Sequence, residues 1–487
     1  MTSSPMFITL NLDSPGMTLV IHNTLTDRKE EFVPIEKGKV KMYVCGVTVY
    51  DDIHMGHARS MIVFDMVARY LRYSGYEVTH VTNFTDVDDK IIIRSAERGV
   101  KPLELSSMYI DEYFRDIEKL GIRRADIYPK ASESMGDIIS MVQEIIDNGY
   151  GYVTEDGSVY FDVNKVKDYG RLTNHRLEDL ESSGRIASDE QKRDPKDFAV
   201  WKAAKPGEIS WDSPWGKGRP GWHIECSAMI RHHLGDTIDI HGGGNDLIFP
   251  HHENEILQTE AATGGKRLAN YWMHNGMLQV KGRGMSKEEK MSKSLGNFFR
   301  VKDVAEKYCS QEIRFFFLNT HYMSPLVYGE EQFEESSQAL KRLWNNYREL
   351  QAYARDAAEG DDAEDFVKDS REEFVRAMDD DFNTRDAIKV LFNMARASNR
   401  MIAERTLSAK GAENIISLME EFDQVLGILP EDAKDDSVDD IMNILIEVRA
   451  ELRKRKAYDL ADLIRDRLAE AGIQLEDSAE GAKWKRI

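Results

Sequence analysis

The chain has 487 residues, enough for about three domains with buried cores. Hydrophobic residues make up 41% and charged residues 31%, a soluble globular balance, and no apolar run approaches the ~20 residues that a bilayer span needs. Asp and Glu outnumber Lys and Arg by 86 to 65, giving a net charge of -21. That charge excludes a generally basic nucleic-acid coat, so any RNA contact must use a local basic face.

Three cysteines exclude a disulfide framework and point to a reducing interior. Residues 1–10 show neither a basic n-region nor an arginine-rich amphipathic pattern, so a cytoplasmic location is the expectation. The first sixteen residues carry no assigned role.

The alternation in Val40-Lys41-Met42-Tyr43-Val44 predicts a strand, and apolar residues from Arg59 to Tyr73 recur at helical spacing. The turn between them holds a thiol, Cys45, and two imidazoles, His54 and His57, three residues apart at the helix start. Both rings can there face an anion drawn to the open backbone N–H groups of the first turn, with Gly56 leaving room for close approach. The same residues also fit a capped and packed helix start. Glu77 to Phe84 predicts a second strand, and Thr85-Asp86-Val87-Asp88-Asp89-Lys90 opens an acidic-ended helix. This strand–helix order favours a parallel sheet of Rossmann type, with ligands at the carboxyl ends of its strands. Thr85, at such an end, is the candidate substrate contact.

From about 101 to 220 the chain is more polar, with helices near Glu104–Leu120 and Glu133–Gly149 and a hairpin through Gly157-Ser158-Val159-Tyr160-Phe161, as in an insertion between two halves of a nucleotide fold. Gly221 to Met229 returns to the core. Thr237-Ile238-Asp239-Ile240 predicts a strand, and Gly242, Gly243 and Gly244 after it would let the backbone lie flat against a ligand. Phe249-Pro250-His251-His252-Glu253 is expected to start a helix with proline in its first turn. His251 and Glu255 then share one face and His252 points elsewhere.

Lys290-Met291-Ser292-Lys293-Ser294-Leu295-Gly296-Asn297 is a basic, glycine-ended loop suited to closing ammonium groups over phosphates. Beyond about Val327 the pattern is helical, with segments Glu330–Ala354, Phe374–Met378, Thr384–Ala403 and Ala412–Leu426. Acidic breaks at Glu359–Asp365 and Glu431–Asp436 read as linkers. The last unit carries Arg449, Arg453, Lys454, Arg455 and Lys456, which also suit a solvated helix face, and then Trp484-Lys485-Arg486. The expected architecture is α/β: a catalytic parallel-sheet domain over 1–327 with its insertion, an all-α bundle over 328–430, and a small C-terminal domain over 438–487.

Together, Ile53-His54-Met55-Gly56-His57 and Lys290-Met291-Ser292-Lys293-Ser294 resemble the two signatures of class I aminoacyl-tRNA synthetases, and their surroundings resemble the cysteinyl family from Asn23-Thr24-Leu25-Thr26 to Trp484. The resemblance implies activation of L-cysteine with ATP and Mg²⁺, then transfer to the 3′ end of tRNA-Cys. It implies phosphate contacts from His54, His57, Lys290 and Lys293, an adenosine site at Gly242, Gly243, Gly244 and Asp246, and a cysteine pocket with Thr85 and Trp222. Met285-Ser286-Lys287 repeats the loop's core early, and Lys293 is favoured because Leu295-Gly296-Asn297-Phe298 follows it. Trp484, Lys485 and Arg486 suit base stacking and phosphate contact with tRNA. A monomer is expected.

The resemblance also implies one Zn²⁺ held by Cys45, Cys226, His251 and Glu255, a borderline-soft donor set. Without it, two buried free cysteines remain the alternative. Rejecting serine gives the metal a purpose: a shaped pocket excludes a hydroxyl isostere by only about 10², whereas ~10⁴ requires roughly 5.5 kcal/mol. A thiol ionises on zinc far more readily than a hydroxyl. The alternatives are a ligase passing cysteine from the same adenylate to a small amine, and a zinc-stabilised RNA-binding module without catalysis.

Overall fold

The computed structural model describes residues 18–173, 191–280, 289–290, 299–356, 359–430, 436–470, 473–478 and 481–486. Residues through Leu429 form one compact unit and Pro430–Ile487 a second. The first unit begins with a hairpin of β1 (Val20–Asn23) and β2 (Arg28–Glu31), followed by β3 (Lys39–Thr48), α1 (Met55–Tyr73) and β4 (Glu77–Thr85). After α2 (Asp89–Arg98), α3 (Pro102–Lys119) and α4 (Met135–Asp147) comes an antiparallel sheet: β5 (Gly151–Val153), β6 (Val159–Phe161), β7 (Phe198–Ala203) and β8 (Gly218–Pro220). Then come α5 (Trp222–Leu234), β9 (Ile238–Gly244), α6 (Glu253–Thr263) and β10 (Ala269–Asn275).

The central sheet has the order β10-β9-β3-β4, and every pairing in it is parallel, as the alternation of strands and helices predicts. Its strands are longer than expected. β3 runs on to Thr48 with a register break between Val44 and Val47. β9 takes in Gly242, Gly243 and Gly244, so these glycines belong to the strand rather than following it. A buried parallel strand tolerates them because neighbours need the space: a Cβ on Gly242 would strike the Phe64 ring at 2.3 Å, and one on Gly243 the His252 ring at 2.8 Å.

α1 is buried along most of its length by Ile62, Val63, Met66, Val67, Tyr70 and Leu71, each side chain contributing about 1.5–3 kcal/mol on burial. Its polar residues are buried too, and each is paired. Asp65 is ion-paired with Arg69 at 2.8 Å and accepts from Arg314 at 2.6 Å, Tyr70 donates to Asp379 at 2.7 Å, and Tyr73 donates to Glu421 at 2.6 Å. α3 packs into this main core through Leu105, Tyr109, Tyr113 and Ile117. A second core joins α4 to β6 and β7 through Ile138, Val142, Phe161 and Trp201.

β11 (Leu278–Val280) pairs with β12 (Glu289–Lys290) and β13 (Leu326–Tyr328), with α7 (Val301–Ala305) and α8 (Ser310–Leu318) between the last two strands. The bundle consists of α9 (Glu330–Asp356), α10 (Glu364–Asp379), α11 (Thr384–Glu404) and α12 (Ala409–Leu426). The first acidic break is partly helical, since Glu364 and Asp365 form the first turn of α10, where negative charge suits the open N–H groups. Residues 431–435 of the second break lie outside the described residues. Cys309 is the N-cap residue of α8 and is exposed, with partial desolvation pushing its thiol up to about 11.

The second unit holds α13 (Asp436–Lys454), α14 (Tyr458–Glu470) and a hairpin of β14 (Ile473–Ser478) and β15 (Gly481–Arg486). No helix among the described residues is long and apolar enough to cross a membrane.

Candidate functional site

Four potential donors meet beside the carboxyl ends of the parallel strands. Cys45 comes from β3, Cys226 from α5, His251 from the turn before α6 and Glu255 from α6, with donor atoms within 4.8 Å of one another. Cys45 Sγ lies 3.7 Å from Cys226 Sγ and 3.4 Å from Glu255 Oε1, and Cys226 Sγ lies 3.5 Å from His251 Nε2. A tetrahedron with metal–sulfur bonds of about 2.3 Å has edges of roughly 3.8 Å, so the spacing and the chemistry of the set fit Zn²⁺.

The cluster carries protons that metal ligation would displace. Burial and Cys226 push the Cys45 thiol well up, and although burial alone would lower His251, Glu255 and Cys226 outweigh it and raise the ring to about 10, whereas the other two donors ionise readily. The hydrogen bond from Cys45 brings the Cys226 thiol down to about 6, aided by His251 against burial and Glu255. Burial opposes ionisation of Glu255, yet the charges of His241 and His251 and their hydrogen bonds hold its carboxyl well below the usual range.

His252 does not point elsewhere. Residues 248–252 form a π-like turn containing the cis Phe249–Pro250 bond and extended dihedrals at Phe249, and α6 starts only at Glu253. His251 Nε2 keeps the expected i, i+4 contact with Glu255 Oε1 at 2.9 Å, but His252 Nε2 also sits 3.2 Å from Cys45 Sγ. With His241, whose Nε2 is 2.8 Å from Glu255 Oε2, it completes a second group of four donors sharing Cys45 and Glu255. A chain of contacts backs it: His252 Nδ1 lies 2.7 Å from His274 Nε2, and His274 Nδ1 lies 2.8 Å from Thr24 Oγ1. Burial holds His252 well below the ordinary imidazole value and His274 at about 3, so both rings are neutral.

A cavity of about 320 Å³ adjoins this cluster, lined by Cys45, His54, Gly56, His57, Trp222, Gly244, Asp246 and Asn275 among others. His54 is the N-cap of α1, and the two motif histidines satisfy each other: His57 N–H donates to His54 Nδ1 at 3.2 Å and His54 N–H to His57 Nδ1 at 3.4 Å, with rings stacked 3.6 Å apart. The Trp222 ring, 38% exposed, lies 4.3 Å from that of His251, roofing the donor cluster at the cavity edge. Thr85 is buried at the end of β4, where Asn83 Nδ2 donates to its hydroxyl at 3.4 Å.

Residues 299–301, which follow the basic loop in sequence, are tied by backbone to the first signature stretch. Met55 N–H donates to Phe299 O at 3.0 Å, Val301 N–H donates to Ile53 O at 3.0 Å, and His54 bridges to Arg300. Residues directly after the basic loop are thus laced to those opening α1. Lys290 is on β12, opposite Gln279. Lys293 and Met285-Ser286-Lys287 lie outside the described residues. Arg59 anchors the same region by donating to Met277 O at 2.8 Å and to Ser324 O.

In the second unit, Trp484 pairs with Leu475, Lys485 with Gln474 and Arg486 with Ile473 across the terminal hairpin. Of the basic cluster, Arg453, Lys454, Arg455 and Lys456 are exposed, whereas Arg449 is buried.

The family described as tRNA synthetases class I (C) catalytic domain matches residues 31–338, and the DALR domain family matches residues 373–430. A cysteine–tRNA ligase of Carboxydothermus hydrogenoformans is 48% identical over 473 residues, spanning 96% of this chain and 100% of that protein. The chain belongs to the cysteine–tRNA ligase family. The cysteine–tRNA ligase of Pelotomaculum thermopropionicum is 50% identical over 488 residues, 96% of this chain and 99% of that one. Among solved structures, the Mycobacterium tuberculosis methionyl-tRNA synthetase in complex with methionyl-adenylate superposes with a TM-score of 0.57 over 80% of this chain and 90% of that one, at 16% identity, a likeness of fold.

Within this cysteine–tRNA ligase family member, sequence reasoning missed His241, His252, His274 and Asn275. His241 and His252 sit in stretches already singled out, and an excess of histidine around a thiol pair was the available signal. Asn275 gave none, because its place at the cavity comes from strand register opposite Gly244.

Proposed function

We propose that this protein activates L-cysteine with ATP and transfers the cysteinyl group to the 3′ end of tRNA-Cys. The observation that carries the reading is the donor set Cys45, Cys226, His251 and Glu255, whose member Cys45 lines the same cavity as His54 and His57. A thiol substrate and a nucleotide can then meet in one chamber. Cys45, Cys226, His251 and Glu255 would hold Zn²⁺, which when bound supplies a Lewis acid that favours a thiolate over a serine hydroxyl.

In the first step the cysteine carboxylate oxygen attacks the α-phosphorus of Mg²⁺-bound ATP, the bond to pyrophosphate breaks, and cysteinyl-adenylate forms. The work left to the protein is positioning and charge stabilisation. His54 and His57, at the open N-terminus of α1, hold phosphate oxygens from one side, and Lys290 and Lys293 close from the other. Gly244 and Asp246 line the cavity where adenosine and its ribose would lie, whereas Gly242 and Gly243 give their space to Phe64 and His252; Thr85 and Trp222 serve the amino-acid pocket. In the second step the 2′-hydroxyl of the terminal adenosine attacks the carbonyl carbon and AMP leaves. Trp484, Lys485 and Arg486 serve the tRNA from the domain at 438–487, which follows in the sequence the catalytic domain at 1–327 and the bundle at 328–430.

The test is zinc analysis of the purified protein, then pyrophosphate exchange with cysteine against serine, then charging of a tRNA mixture. About one zinc per chain, exchange with cysteine at least ~10⁴-fold above serine, and charging of tRNA-Cys are expected. Exchange with cysteine but acceptance by a small amine instead of tRNA would favour the alternative ligase.

A further inference from the structure

The turn between α10 and α11 holds Asp381 and Phe382 at φ of 61° and 51°, a left-handed backbone that residues with a side chain keep only where their surroundings impose it. Phe382 is fully buried, its ring edge-on to Tyr70 at 6.0 Å. Asp381 is 1% exposed, and one oxygen of its carboxyl group, Oδ1, accepts from two separate segments: from His22 N–H of β1 at 2.8 Å and from the Tyr322 hydroxyl at 2.8 Å. Its own N–H donates to Val20 O at 3.0 Å. The turn belongs to the bundle, yet it grips β1 and the segment between α8 and β13.

Tyr322 passes that hold on to the cavity. Its carbonyl oxygen accepts from Gly276 N–H at 2.8 Å and from Arg59 at 3.3 Å, and Arg59 also donates to Met277 O at 2.8 Å. The two segments run so close that a Cβ on Gly276 would lie 2.5 Å from both Met323 O and Ser324 O. Asn275, Gly276, Met277 and Leu278 line the cavity together with Gly244 and Asp246, and Asn275 pairs in register with Gly244. The wall at 275–278 thus borders the nucleotide end of the chamber, and residues 322–324 set its position from behind. Resting on the cysteine-activating reading above, we propose that Asp381 fixes this wall by holding Tyr322, so that a residue of the bundle determines how tightly ATP is bound. Asp381 is a positioning residue, acting through Tyr322 and Gly276.

The experiment measures cysteine-dependent pyrophosphate exchange in the full-length wild type, Asp381→Ala, Asp381→Asn and Tyr322→Phe, with zinc content and urea unfolding alongside. Asp381→Ala and Tyr322→Phe are each expected to raise the KM for ATP by about 5- to 10-fold, the worth of one buried hydrogen bond, with the KM for cysteine and the zinc content unchanged. Asp381→Asn keeps an oxygen that can accept both hydrogen bonds, so its KM for ATP should return to within about twofold of wild type. Combining Asp381→Ala with Tyr322→Phe should raise the KM for ATP no further than the larger single effect, because both cut the same link. A merely structural role would lower the urea midpoint and the fraction of active enzyme and leave the KM for ATP in place. That result in Asp381→Ala and Tyr322→Phe overturns the proposal. Tyr322→Phe, which loses a single hydroxyl, decides the matter if Asp381→Ala is not recovered folded. Absence of exchange with cysteine in the wild type would instead defeat the underlying reading.

Discussion

The approach of β3 to β4 at Gly46 offers a severe test of how the site is built. An alanine Cβ at this position would lie 1.7 Å from Asn83 O and 2.8 Å from the Asn83 carbonyl carbon. Carbon and oxygen tolerate about 3.3 Å, so the two strands must part by roughly 1.5 Å. Parting them breaks the 2.8 Å bond from Gly46 N–H to Asn83 Oδ1. With strain on the adjoining ladder, the loss of stability should be about 2–4 kcal/mol. The functional loss should be larger, because Cys45 and Thr85 ride on the two strands that separate, and misplacement by about 1 Å costs on the order of 10²-fold. Full-length Gly46→Ala is therefore expected to lose about 10²-fold or more in kcat/KM for cysteine-dependent pyrophosphate exchange, and to hold less metal per chain, with its far-ultraviolet circular dichroism preserved. Exchange within about threefold of wild type at full metal content would refute the reasoning.

Asp65→Asn leaves Arg69 and Arg314 buried without their counter-charge, so denaturant unfolding should show a loss of about 3–5 kcal/mol. Burial alone would raise the Asp65 carboxyl, but the two guanidinium groups outweigh it and hold it below its ordinary value. The gap between wild type and Asp65→Asn should accordingly be full above about pH 5 and shrink as pH falls below ~4 through the lowered folded value. His252→Ala should weaken metal affinity by about 10–100-fold in a chelator competition, as expected for an outer group supporting a ligand. Lys293→Ala should slow adenylate formation far more than Lys287→Ala in pyrophosphate exchange, and equal losses would reassign the loop lysine. Trp484→Ala should raise the KM for tRNA by roughly 5- to 150-fold, the worth of one base stack, with pyrophosphate exchange unchanged.

The parallel sheet was legible because its strands alternate with helices, and the bundle because apolar residues recur at helical spacing over long stretches. The end of β9 was not, since glycines signal a turn unless the space they leave is known to be filled, here by Phe64 and His252. The two signature stretches stood out through their resemblance to the family's motifs, and so did Cys45, Cys226, His251 and Glu255, which the fold brings together. The role of His252 was hidden because an i, i+4 argument assumes α-helical geometry, and a π-like turn puts consecutive histidines against the same thiol cluster.

The mutual cap of His54 and His57 fixes the tautomers of both rings. Each Nδ1 receives a backbone hydrogen bond, so in a neutral ring the proton belongs on Nε2. Two uncharged imidazoles so held can offer Nε2–H donors outward without first taking up protons. Asparagine, whose amide oxygen can mimic Nδ1, would preserve the helix start and abolish the outward donor, whereas alanine would forfeit both.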